Sequence, residues 1–230
     1  MSTIKDEYQN GDPYEVDFSD YFHKERLRNT LDILKDVSHN SKVLDVGCGR
    51  GYFTKHFVVN GNKVLGIDYS KNAIEFAQNN FGNESLLFEV LDVVDLIEKK
   101  DEFDVVIANN LIEHIENPNA FLRECHRILK PDGFLIISTP NLYSFRNIIS
   151  IIFKKSVKYR HSNHVCEYSR SQIKKFFQKN DFKLVKIVSQ FQIKRTNGII
   201  VLLFNIVNWF LAFLHFNFLC ATNFYLVKKK

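Results

Sequence analysis

Short apolar runs and longer mixed stretches alternate along the first two thirds of the chain. Five runs, Lys42–Val46, Lys63–Ile67, Leu86–Leu91, Phe103–Ala108 and Gly133–Ser138, are almost continuously apolar and rich in Val, Ile and Leu. That is the pattern of strands buried on both faces. Between them, Gly51–Asn60, Ser70–Asn80 and Pro118–Leu129 space their apolar residues at helical intervals. Asn117 is placed to cap the last of these, with Pro118 at the first helical position, where a missing N–H costs nothing. Phe18, Phe22, Leu27, Leu31 and Leu34 predict an earlier helix over 18–37. Pro131-Asp132-Gly133 predicts a turn into the fifth strand. Such alternation predicts an α/β fold: a doubly wound, mostly parallel sheet with right-handed crossovers and helices on both faces.

After Pro140 the texture changes. Leu142–Lys155 is apolar with a basic end, and Ser169–Lys179 opens with the Ser169/Gln172 spacing of a capping box. Phe182–Gln190 reads as a sixth strand and Asn223–Lys228 as a seventh. Between them no charged residue occurs from Arg195 to Lys228, and Ile199–Cys220 has the length and apolarity of a membrane span. Asn205, Asn208 and His215 fall on one helical face, leaving a wide aromatic face with Phe204, Trp209, Phe213 and Phe216. A single crossing would strand the last strand on the wrong side, so the run predicts an interfacial helix or short helical hairpin before that strand. Neither repeats nor a linker divide residues 1–230, which read as one domain. It comprises a helical cap over 1–40, a ligand-binding core over 41–140, and basic and apolar segments with the last strands over 141–230.

The chemistry concentrates in "VLDVGCGRGYFT", Val43 to Thr54. A P-loop would need a lysine after its last glycine, and none follows. The dinucleotide fingerprint would need a third glycine where Tyr52 stands. The remaining reading is D-x-G-x-G-x-G, with Asp45 ending the strand and Gly47, Cys48, Gly49 and Gly51 forming the loop. Glycines allow a backbone to pass closely against a ligand. Asp68 ends the second strand, 19 residues after Gly49, where a carboxylate can grip a ribose diol. Tyr69 follows it, and Asp92-Val93 ends the third strand.

With "FDVVIANNLIEHI" and "RILKPDGFLIISTPN", this stretch closely resembles the class I S-adenosylmethionine-dependent methyltransferases, in particular small-molecule O-methyltransferases of the ubiquinone-biosynthesis type. The likeness spans about residues 40–190. It implies a seven-stranded Rossmann-like sheet whose last strand is antiparallel and inserted beside the fifth. It also implies S-adenosylmethionine as cofactor: Asp45 and the glycine loop near the methionine portion, Asp68 on the ribose, Tyr69 over the adenine, Asp92 on its amino group, the Val93 backbone on its edge, and Asn109 lining the methionine side.

Charge and thiols narrow the rest. Residues 1–141 carry 15 Lys/Arg against 24 Asp/Glu, whereas 142–230 carry 16 against 2. A basic half points to an anionic partner or to a solvated basic face. The start of the chain is polar and acidic, without a secretory signal, and the four cysteines are far apart, which fits free thiols in a cytoplasm and no zinc site. Asn109-Asn110-Leu111-Ile112 is not the N-P-P-Y motif of enzymes that methylate base amines, so no DNA partner is expected. Thr139-Pro140-Asn141 at the fifth strand's end lacks the acids of metal-dependent catechol methylation, so no metal is expected. A hydroxyl acceptor then calls for a base, and His114 and His164 are the candidates. Tyr143, Arg146, Arg160 and His161 are candidate acceptor contacts. The basic and apolar segments leave the same edge of the sheet. They predict an amphiphilic or lipid-linked small-molecule acceptor and contact with an anionic membrane surface at its inner face. A dimer interface or a core-covering lid is the competing use of the apolar run. A non-catalytic cofactor-binding scaffold and an RNA methyltransferase stay open as functions, and the oligomeric state is not legible.

Overall fold

The computed structural model describes residues 21–92, 100–153, 164–191 and 219–230, together with 203, 206, 207, 209 and 210. Its elements run α1 (Tyr21–Val37), β1 (Lys42–Val46), β2 (Lys63–Asp68), α2 (Lys71–Phe81), β3 (Leu86–Val90), β4 (Phe103–Asn109), α3 (Pro118–Ile128), β5 (Leu129–Pro140), α4 (Phe145–Ile152), α5 (Arg170–Lys179), β6 (Phe182–Gln190) and β7 (Thr222–Lys229). The strands form one seven-stranded sheet in the order β3-β2-β1-β4-β5-β7-β6. Strands β1 to β5 pair parallel, and β7 is antiparallel to both β5 and β6. Strand order reverses between β1 and β4, and in sheets of this kind ligands bind outside the carboxyl ends at that point.

Alternate residues of each strand feed two cores. One face packs Leu44, Val106, Leu135, Ile137, Tyr225 and Val227 beneath α3 and α5. The other packs Val43, Val105, Ile107, Ile136, Phe224 and Leu226 beneath α1 and α2, whose Ile33, Leu34, Ile74 and Ala77 are buried against them. Each large side chain so buried contributes roughly 2 kcal/mol of transfer free energy. The helices start where the sequence supplies caps. Asn117 Oδ1 accepts from Ala120 N ahead of α3, and the Ser169/Gln172 capping box opens α5.

Two predicted boundaries change. The helix expected over Gly51–Asn60 is replaced by two short 3-10 turns, Thr54–His56 and Val59–Gly61. Gly51 (φ +73°) and Asn60 (φ +55°) sit in the left-handed region, which a right-handed helix cannot include. The fifth strand is longer than expected because the Pro131–Gly133 turn is absorbed into β5, with Asp132 at φ +64°. Residues 18–20 of the first predicted helix lie outside the described residues. So does most of the apolar run; its Ile206, Val207, Trp209 and Phe210 are helical and exposed. Among the described residues, no helix is long and apolar enough to cross a membrane.

Candidate active site

The glycine loop joins β1 to the carboxyl edge. Gly47 N and Cys48 N both donate to Ile67 O, at 2.8 and 3.0 Å, which pins the loop to the end of β2. Gly47, Gly49 and Gly51 all have positive φ. At Gly51 an added Cβ would lie 2.7 Å from Phe88 Cζ, and at Gly47 3.0 Å from Leu111 Cδ1. A side chain at either position would displace the loop, so bare backbone is a requirement here. Asp68 is 5% exposed and is held by two main-chain donors, Gly49 N to Oδ2 at 3.0 Å and Ser70 N to Oδ1 at 2.9 Å. These contacts tie the carboxylate to the loop.

Asp45 lies under the loop and is buried, with Thr54 Oγ1 donating to its Oδ2 at 2.6 Å. Burial pushes its carboxyl up to about 7; the Thr54 hydrogen bond pulls the other way, and the neighbouring Asp68 charge adds to the rise. A buried carboxyl raised in this way is relieved by a nearby cation. At the end of β4, Asn109 Oδ1 accepts from Thr30 Oγ1 of α1 at 3.2 Å and from Ser138 Oγ at 2.9 Å. Its Nδ2 is buried with no hydrogen-bond partner. A buried donor without an acceptor is costly unless a ligand or water completes it.

Tyr69 and Asp92 are half-buried, and Leu91 N donates to Asp68 O at 3.0 Å, which brings the end of β3 beside Asp68. Val93 lies outside the described residues. A glycine loop, a buried carboxyl raised by its burial, an unmet amide donor and a second buried carboxylate fit the methionine end and ribose of S-adenosylmethionine. Asp45, the loop glycines, Asp68 and Asn109 are the residues that would hold it.

A second polar group lies one turn beyond β4. The 3-10 turn Ile112–His114 carries Glu113, which is fully buried. Asn110 Nδ2 donates to Glu113 Oε1 at 3.0 Å and Thr139 Oγ1 to Oε2 at 3.1 Å. Val165 N and Cys166 N both donate to Glu113 O, so the segment ahead of α5 is laced onto this turn. That lacing sets His164 against His114, with ring centroids 4.8 Å apart and planes at 88°. His164 is 7% exposed, and its Nδ1 lies 2.9 Å from Oε1 of the buried Glu167. A carboxylate on Nδ1 places the proton there and leaves Nε2 as the basic nitrogen. Burial pushes Glu113 up to about 7, against the smaller pull of its hydrogen bonds and of His164. Glu113, His114 and His164 also present ligand-capable atoms within 4.8 Å of one another. The expectation of no metal rested on cysteine spacing and on the strand ends, and this grouping of one acid and two histidines lies beyond both.

The two histidines named from sequence are thus brought together. Arg146 lines a narrow crevice with Asn141, Ser144, Asn147 and Glu167, on the side of the turn that holds His164. Tyr143 is half-exposed nearby. Arg160 and His161 lie outside the described residues. Glu113 and Glu167 are the functional residues that sequence reasoning missed. The available signals were the acid directly before His114 and the three-residue spacing from His164 to Glu167.

A doubly wound sheet with a glycine-rich first turn and a buried carboxylate ending the second strand defines a nucleoside-binding, Rossmann-like enzyme core. A methyltransferase-domain family model matches residues 20–187, and the chain belongs to that family; its cofactor is S-adenosylmethionine. The chain is 32% identical over 122 residues to the mitochondrial ubiquinone biosynthesis O-methyltransferase of Rattus norvegicus, covering 50% of this chain and 35% of that protein. It is 35% identical over 118 residues to the ubiquinone biosynthesis O-methyltransferase of Rhodopseudomonas palustris, covering 51% and 45%. The match therefore spans less than half the length of these curated relatives. A SAM-dependent methyltransferase from Archaeoglobus fulgidus superposes with a TM-score of 0.63 at 20% identity, over 90% of this chain and 93% of that one. The [4+2]-cyclase SpnF superposes with a TM-score of 0.64 at 17% identity, over 94% and 85%. Likeness at that level speaks for the fold alone, and a cyclase among the neighbours shows why function is argued from the site.

Proposed function

We propose that this protein transfers a methyl group from S-adenosylmethionine to a hydroxyl of an amphiphilic, small-molecule or lipid-linked acceptor. The observation that carries this reading is the His164–Glu167 pair, buried beside His114 at the carboxyl edge that also bears the glycine loop. S-adenosylmethionine supplies an electrophilic methyl on a sulfonium that carries its own leaving group. The chain's part is to position the acceptor, exclude water and take one proton. Glu167 holds the Nδ1 proton of His164, so Nε2 accepts the proton of the acceptor hydroxyl. Glu167 then stabilises the imidazolium that results. Both curated relatives are named as O-methyltransferases, which supports a hydroxyl over an amine or carbon acceptor.

The amphiphilic character of the acceptor rests on the surface of the same edge. Ile149, Ile151, Ile152 and Phe153 at α4 are exposed, as are Leu203, Ile206, Val207, Trp209 and Phe210. They lie in the chain segments that leave β5 and β6 at their carboxyl ends. Residues 142–230 also carry 16 Lys/Arg against 2 Asp/Glu. Apolar side chains beside an excess of positive charge suit an anionic bilayer surface from which a lipid-soluble acceptor is drawn.

The test is formation of S-adenosylhomocysteine with hydroxylated aromatic acceptors, carrying an alkyl or prenyl tail. His164→Gln is expected to lower turnover by roughly 100-fold or more while leaving cofactor affinity unchanged. Turnover of the unchanged protein that stops on chelation with EDTA and returns with an added divalent cation would give the Glu113–His114–His164 group a cation in place of the base. Cofactor binding with no turnover on any such acceptor would favour the non-catalytic scaffold.

A further inference from the structure

Two buried acids stand at the glycine loop, on the ends of neighbouring strands. β1 and β2 run parallel with Val46 opposite Ile67, which sets Asp45 and Asp68 side by side at the carboxyl edge. The same loop holds both. Gly49 N donates to Asp68 Oδ2, and Thr54 Oγ1 donates to Asp45 Oδ2. Two carboxyl groups so placed do not both ionise at low cost, because the charge of one opposes the charge of the other.

Their partners decide which one keeps a proton. Asp68 accepts from two main-chain N–H groups, those of Gly49 and Ser70. A main-chain N–H can only donate, so these partners favour the charged form. Among the described residues, Asp45 takes one hydrogen bond, from the Thr54 hydroxyl. A hydroxyl donates or accepts, so it serves the protonated acid as well as the carboxylate. Burial, opposed by this bond and reinforced by Asp68, pushes Asp45 up to about 7.

Among the described residues, no cation forms an ion pair with Asp45. On β4 its neighbour is Ile107, and Asn109 ends that strand. Burial pushes the Cys48 thiol up, and the charges of Asp45 and Asp68 add to the rise. Arg50 and Lys55 lie over the rings of Phe76 and Phe81, at 4.6 and 4.4 Å, and His56 is exposed. Asp45 alternates with Val43, which belongs to the core beneath α1 and α2. α1 carries the half-buried His23, Glu25 and Arg26; Glu25 pairs with Arg28, and Arg26 lies over Phe53 at 5.0 Å. On α2, Lys71 pairs with Glu75.

We propose that Asp45 is protonated in the ligand-free protein and gives that proton to solvent when the cofactor binds, so that pH sets cofactor affinity. The carboxylate so formed balances the positive charge that S-adenosylmethionine brings. Above about pH 7 the acid is already ionised and affinity is level; below it, binding must first remove a proton, and affinity falls as pH falls. The inference goes beyond the acceptor chemistry and rests on the identity of the cofactor alone.

The experiment is calorimetry with S-adenosylhomocysteine, which has the same amino-acid end, at pH 6 and pH 7.5. Repeating each titration in buffers of different ionisation enthalpy counts the protons exchanged. The unchanged protein is expected to release about one proton per ligand at pH 6 and about a quarter at pH 7.5, with a Kd about eightfold higher at pH 6. Asp45→Asn stays neutral and still accepts from Thr54. It is expected to keep its melting temperature at pH 7.5, to bind more weakly, and to lose both the proton release and the pH dependence. The ligand's amine titrates alike with either protein, so the difference between them belongs to Asp45. Binding by the unchanged protein with no proton released at pH 6 would overturn the proposal and leave the cofactor assignment standing. No binding at either pH would overturn both. Release that persists in Asp45→Asn would also overturn the proposal, since the proton would come from another group such as His56.

Discussion

At the scale of single residues, Glu113 carries the clearest consequence. Its carboxyl titrates near 4.5 in an unfolded chain and is raised to about 7 by burial. Between those values the folded protein keeps a proton that the unfolded chain has released. The protonated form's contribution to stability is complete below about 4.5 and is lost as pH rises through about 7. The loss is on the order of 3 kcal/mol. Glu113→Gln keeps a neutral group that still accepts from Asn110 Nδ2 and can donate to Thr139 Oγ1. Thermal melts are expected to show the variant matching the parent near pH 4.5 and exceeding it by about 5 °C or more at pH 8. The parent's remaining slope belongs in part to Asp45, which is raised in the same direction. Equal melting curves across that range would remove Glu113 as a buried acid.

Asp45 and Asp68 were legible in the sequence because strand ends and glycines mark them at fixed spacings. Glu113 and Glu167 were not. Their meaning depends on a return of the chain, in which Val165 N and Cys166 N dock on Glu113 O, and no local pattern announces that contact.

Among the elements, the strands were read well because a strand buried on both faces is apolar almost throughout. The misread element was Gly51–Asn60, where apolar spacing suggested a helix but two left-handed residues forbid one. The local turn is set by the ligand-facing loop, with Thr54 bent back to Asp45. Helix α4 raises the opposite question, since its sequence makes a helix whose apolar side chains stay largely uncovered. Ile152 and Phe153 are 65% and 68% exposed, in a chain whose last third is strongly basic. Flotation with vesicles containing phosphatidylglycerol is expected to recover the protein, and recovery should fall as salt rises. An Ile152→Glu, Phe153→Glu variant should lose most of that recovery without a change in melting temperature, because neither side chain is buried. Equal recovery with purely zwitterionic vesicles, or from the double variant, would assign the exposed face to something other than an anionic bilayer.

For the whole molecule, one sheet edge gathers the glycine loop, Asp68, Asn109 and the His114–His164 pair. The parallel strands point β1, β2 and β4 at the same side, so the loop, Asp68 and Asn109 converge without long connections. The inserted β7 returns the chain to that edge and lines its far end with polar atoms. This arrangement follows from the alternation of apolar runs and helical stretches, which explains why the architecture was legible from sequence while the acceptor's contacts were not.

The cradle for S-adenosylmethionine is the claim on which the rest stands, and isothermal calorimetry with that cofactor tests it most directly. The unchanged protein should release or absorb heat on saturable one-to-one binding. Asp68→Asn should weaken the affinity at least tenfold, about 1.4 kcal/mol, because the carboxylate that anchors the loop, and that would meet the ribose, is lost. No saturable heat with the unchanged protein, or an unaltered affinity in Asp68→Asn, would contradict the account.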